Sequence, residues 1–269
     1  MANNHNFSNS TIHDINKWVC SFDFNTKTNF TANKLEGIKA LRNVKIRWDF
    51  LHAAMKFEDP KDHVFWFNTV ELCLTIEEFF AILGYDPSKK SVAVSCDPRH
   101  KETLSDALGL PTSITNSMIE GHMVNLYTII SQLIDKGTYG VTNNMQKNFS
   151  LALCMVGKLL LCSGRHDFVD ARAISAVNQI KDGNNLVSLI LVETLLGLDA
   201  VFHGGETHNF LGSPLTLRIW LMERLDMIAK PTTSNYGPSS FLSRAIVKIE
   251  CQTGSDWVKF LDKKSSTSV

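Results

Sequence analysis

One stretch constrains this chain more than any other: NNMQKNFSLALCMVGKLLLCS, from Asn143 to Ser163, in which only Ser150 and Lys158 are polar between Phe149 and Cys162. A helix that is apolar on nearly every side must be covered on nearly every side. The stretch is too short and too interrupted to span a bilayer, which takes about 20 consecutive apolar residues. It therefore predicts the central helix of an α-helical domain wrapped by its neighbours.

The chain of 269 residues is long enough for a large core. With 15 Gly and 7 Pro it is poorer in chain breakers than average, which favours long helices over many short strands. Its formal net charge is zero, so it lacks the global positive field of a dedicated nucleic-acid binder. A neutral surface resists association poorly, so a protein partner or self-association is expected. Six scattered cysteines (20, 73, 96, 154, 162 and 251) form no CxxC pair and imply a reducing compartment. MANNHNFSNS has no signal-peptide pattern, and the sequons at Asn6 and Asn29 are expected to carry no glycan.

Residues 1–30 read as a polar N-terminal segment with one helix over Thr11–Ser21. Residues 31–262 read as a single helical domain, and 263–269 as a polar tail. Ala32–Arg42 and Ile46–Phe57 form helices, the second ended by Asp59-Pro60. Phe65 and Phe67 mark a short strand, so the fold is mainly α with at most a small β-hairpin near residues 64–73. Thr75 and Glu78 form a capping box for a helix whose buried face is Ile76, Phe79, Phe80 and Leu83, closed by Gly84. Further helices are expected from Thr103, over Ser113–Lys136, from an Asp167 cap to Lys181, over Leu186–Val201, from Ser213-Pro214 to Ala229, and from Ser255 or Asp256. Leu186–Val201 is the expected partner of the central helix.

The segment carrying Phe65, Phe67, Glu71, Leu72, Thr75, Glu77, Glu78, Phe79, Leu83 and Gly84 resembles the plant mobile domain family. It is also similar to the retroelement-associated, aminotransferase-like and uncharacterised plant domains related to that family. The Leu151–Leu161 helix, the Leu189–Leu198 segment, the loop His203–Pro214 and the helix Leu215–Met222 extend the match from about residue 45 to 262. Leu74 stands where the family usually has proline, and family members tend to continue past Trp257–Leu261, so a C-terminally truncated chain is expected. The resemblance implies transposable-element origin, a nuclear location or otherwise a cytoplasmic one, and roles in silencing and genome maintenance.

Candidate chemistry is sparse. His203, Glu206 and His208 surround a Gly-Gly, but the histidines sit at i and i+5, whereas a helical zinc motif needs i and i+4. Asp97, Arg99 and His100 make a polar turn. Glu193 on an apolar helix calls for a structural partner such as Arg218 or Arg224. His52 and His122 read as packed residues on helix faces, and the Lys158 stem as snorkelling outward. There is no phosphate-cradling glycine loop and no βαβ alternation, as a pyridoxal-phosphate enzyme would need. The expectation is a non-enzymatic interaction domain with no catalytic, cofactor or metal residue. Two other readings remain: a nucleic-acid-binding domain using Lys39, Arg42, Lys45 and Arg47, and a divergent enzyme using Glu193, His203, Glu206 and His208.

Overall fold

The computed structural model describes residues 46–94, 98–134, 144–161, 167–204, 212–229 and 253–264. Leu35, Leu41, Val44, Phe210, Gly237, Phe241, Arg244, Ile249 and Cys251 are described as well. The expected helices over 11–21 and 32–42 fall almost entirely outside this set.

In chain order the elements are α1 (Trp48–Met55), β1 (Glu58–Asp59), β2 (Val64–Phe67), β3 (Val70–Cys73), α2 (Ile76–Leu83) and α3 (His100–Leu108). Next come α4 (Thr112–Ser117), β4 (Ile119–Glu120), β5 (Met123–Asn125) and α5 (Leu126–Ile134). After these, α6 (Asn144–Met155) runs into a π-helical turn over Val156–Leu160. The chain closes with β6 (Phe168–Asp170), α7 (Arg172–Lys181), α8 (Val187–Gly204), α9 (Pro214–Arg224) and α10 (Gly254–Asp262).

The central helix is where the sequence puts it: every residue from Asn148 to Leu160 is buried. A second helix shares the interior, since every residue of α9 from Pro214 to Met222 is buried too. The α9 helix packs on α2 and on the π turn, while α6 is flanked by α3, α5 and α7. The expected pairing of the central helix with Leu186–Val201 is corrected, because α8 packs chiefly on α2.

The local signals of α2 hold. The Thr75 hydroxyl accepts from Glu78 N, the Glu78 carboxylate accepts from Thr75 N, and Gly84 closes the helix at φ 69°. In β2 and β3, Phe65, Phe67, Val70 and Leu72 are buried while Trp66 and Glu71 face outward. This alternation is that of a sheet with one face on the core.

The β content exceeds a hairpin. Glu58–Asp59 adds a third antiparallel strand beside β2, and a second three-stranded antiparallel sheet has the order β4-β5-β6. The expected helix over Ser113–Lys136 is thus broken in the middle. Gly121 takes φ 62° in the two-residue β4–β5 turn, the positive φ that such turns require and helices exclude. Val124 then pairs with Val169, about forty-five residues away. The same pairing makes Phe168–Asp170 a strand, so α7 begins at Arg172 with Asp170, not Asp167, accepting from its backbone N–H at 2.8 Å.

Other boundaries shift. The α3 helix begins at His100, not at a Thr103 cap, and α9 ends at Arg224 rather than Ala229. The last helix is capped by Thr253 and Asp256 in a second capping box. The π turn went unread. It is closed by the bond from Leu161 N–H to Val156 C=O at 2.9 Å, and Gly157 there lets β6 approach so closely that a Cβ would meet Val169 Cγ2 at 2.6 Å.

Candidate functional site

Several polar groups inside this apolar fold come in paired clusters that tie two elements together. Glu78 serves two masters. Besides capping α2, its Oε2 accepts from Trp220 Nε1 at 3.0 Å, and its Oε1 pairs with Arg224. Because Trp220 and Arg224 are four apart on α9, they meet the same carboxylate from one face.

Glu193, half-buried on α8, receives Arg172 at 2.8 Å, and Arg172 also donates to Asp170 at 3.0 Å. The expected partners Arg218 and Arg224 are therefore corrected to Arg172, which comes from the strand–helix junction that the sequence concealed. A pair with this exposure contributes modestly. Glu193→Gln is expected to cost about 1 kcal/mol, and a double-mutant cycle with Arg172→Met should assign most of it to the pair.

At the contact of α1 with α10, Asp49 binds Arg47 through two bonds of 3.0 and 2.6 Å and accepts from Trp257 Nε1 at 3.0 Å. Burial works to raise the Asp49 carboxyl, but these donors, the Arg47 charge and the Phe50 N–H hold it below the usual carboxylate range. The Arg47 guanidinium also lies 5.6 Å over the Trp257 ring.

His63, held at φ 52°, places Nδ1 3.2 Å from Glu58 and Nε2 4.0 Å from Asp199 of α8. Burial raises the Glu58 carboxyl despite the histidine. Lys158 does not snorkel outward. It is 2% exposed within the π turn, with Nζ 3.7 Å from Asp167 Oδ1. Burial also pushes up the Cys154 thiol one helical turn before it, against the pull of the Lys158 charge.

Of the remaining candidates, those among the described residues lie apart, save for Arg99, His100 and His122. Glu193 and His203 lie ten residues apart on one helix, hence about 15 Å along its axis. The His203 Nδ1–H is bonded to the Asp199 carbonyl at 2.9 Å instead. Glu206 and His208 lie outside the described residues, as do Asp97, Lys39, Arg42 and Lys45. Arg99 precedes α3 and His100 opens it. His52 is exposed on α1 beside the Trp48 ring. His122 is exposed in the β4–β5 turn, not packed on a helix, with its ring 6.2 Å from that of His100.

What the sequence reading missed is a surface. Val192 and Leu196, one turn apart on α8, are 51% and 52% exposed, and Phe202 near the end of that helix is 61% exposed. The helix is apolar on both faces, so composition pointed to full burial. Among the described residues, no helix is long and apolar enough to cross a membrane.

Comparison with curated proteins and with solved structures finds no match. A family model described as a domain of unknown function, DUF7745, matches residues 21–268, and the chain belongs to that family.

Proposed function

We propose that this domain is a non-enzymatic protein-interaction module of plant mobile domain type and transposable-element origin, acting in the nucleus in silencing or genome maintenance. The observation that carries the interaction reading is the exposed apolar row of α8, Val192 and Leu196, with Phe202 beyond it. Large apolar side chains adjacent on one exposed helix face are the usual material of a contact with another protein. The carboxylates Glu78 and Glu193 are engaged in tying helices together, a structural use. The family type and nuclear setting rest on the resemblance carried by Phe65, Phe67, Thr75, Glu78, Phe79 and Gly84.

The test is a double substitution, Val192→Glu with Leu196→Glu, read by light scattering for self-association and by cross-linking for a second protein. Stability should move by no more than about 0.5 kcal/mol per site, as at ordinary surface positions. An association present in the wild type should be lost. Turnover, or a stoichiometric small-molecule cofactor in native mass spectra of the purified protein, would overturn the reading.

A further inference from the structure

Arg218 is the anomaly of the interior. It lies midway along α9, between Leu217 and Ile219, and is 8% exposed. Its Nε is sealed from solvent without a hydrogen-bond partner, and among the described residues the guanidinium forms no ion pair. Trp220 and Arg224 point from α9 to Glu78, whereas Arg218, two residues before Trp220, projects from the opposite side of the helix. There it comes within electrostatic reach of Arg47 and Asp49 at the α1–α10 contact.

Asp49 attracts it across space, but its acceptor positions are already engaged. A carboxylate has about four acceptor positions. Asp49 uses them on two Arg47 bonds, the Trp257 indole and the Phe50 N–H. Trp48, the residue between Arg47 and Asp49, also has an indole N–H sealed from solvent without an acceptor. Burial pushes the Arg218 guanidinium down to about 10, with Arg47 repulsion adding to the effect and Asp49 opposing it. It is therefore still charged at neutral pH. A buried cation with a second cation nearby, whose one attracting carboxylate among the described residues is already hydrogen-bonded elsewhere, is strongly destabilising unless another anion joins it.

We propose that Arg218 anchors a binding site for a small tetrahedral oxyanion of the phosphate class, at the junction of α9 with α1. Arg47, whose side chain is 45% exposed, lies within electrostatic reach and would add attractive potential for an anion. Arginine suits this ligand because its planar fork gives two parallel charge-assisted bonds to one oxyanion. The narrow access left by an 8% exposed side chain favours a free ion over a bulky phosphorylated molecule. The site goes beyond the interaction reading and is independent of the α8 surface.

The test is calorimetric titration of the full chain with inorganic phosphate, paired with thermal unfolding in phosphate and in sodium chloride of equal ionic strength. Saturable binding is expected, with Tm rising by about 3–6 °C over the chloride control at tenfold the Kd. Arg218→Met, which keeps volume and removes charge, should weaken phosphate binding at least about tenfold and unfold no earlier than the wild type in chloride. Arg218→Lys, keeping the charge without the fork, should fall between them. Tighter binding of phosphate than of O-phosphoserine identifies the free ion, and the reverse order a phosphoryl group on a larger molecule. Wild-type protein that responds to phosphate no more than to chloride overturns the proposal, as does Arg218→Met binding with wild-type affinity.

Discussion

Replacing Trp220 with alanine is expected to destabilise the domain by about 4 kcal/mol, lowering Tm by roughly 8–16 °C. Trp220 is among the largest fully buried side chains, and its ring lies 5.6 Å from that of Phe65 at the junction of α9 with the first sheet. Truncation leaves a cavity in close-packed surroundings, which costs more than the lost transfer energy alone. It also removes the indole N–H from Glu78 Oε2, a carboxylate that is only 16% exposed. Trp220→Phe separates the two effects. It keeps most of the ring and loses the bond, so its cost should be about 1–2 kcal/mol, because Glu78 retains Arg224 and the Thr75 donors. Denaturant unfolding of both variants checks this. A cost below about 1.5 kcal/mol for Trp220→Ala would mean that α9 is not the packed centre described above.

Gly212→Ala should rank beside it, at about 3 kcal/mol or more, for a different reason. Gly212 has φ 128°, a conformation that side chains avoid, and lies against the backbone of α8. An added Cβ would stand 2.5 Å from the Glu193 carbonyl oxygen and 2.9 Å from Thr194 Cα. Helix backbone cannot step aside as a flexible side chain can. This contact positions the start of α9, since the next residue, Ser213, donates its N–H to Thr194 Oγ1 at 3.3 Å and accepts from Thr216 N at the helix cap. Gly121→Ala is the matched control. Its φ is 62° and nothing lies within 4 Å of the added methyl, so its cost should be only about 1 kcal/mol. Equal losses for the two would show that strain alone operates and that the approach to α8 is unimportant.

Much of the fold was legible because its causes are local. The Thr75–Glu78 capping box, the Gly84 stop, the Ser213-Pro214 start and the burial of residues 148–160 each follow from a few neighbouring residues. A capping hydroxyl meets its backbone donor three residues away, and an apolar run must be buried whatever surrounds it. Where the reading failed, the cause lay far along the chain. Short strands over 119–125 exist because Val124 pairs with Val169, and no local pattern competes with helical periodicity until that partner arrives.

The candidate sites divide in the same way. That Glu193 needs a cation was readable from its apolar setting, but which cation depended on where β6 delivers Arg172. The apolar character of α8 was plain in its residues, whereas the exposure of Val192 and Leu196 follows from the way the helices pack. Arg218 is the sharpest instance. A lone arginine in the run LTLRIWLM could have faced solvent, and only its burial within the fold leaves its Nε sealed and without a partner among the described residues. By itself the sequence determined where most of the described helices lie, the caps of α2 and α9 and the buried centre, because those depend on contacts within a turn or two. Tertiary structure alone decided the second sheet, the ion-pair partners and the exposed face, because each requires residues that meet only after the chain has closed on itself.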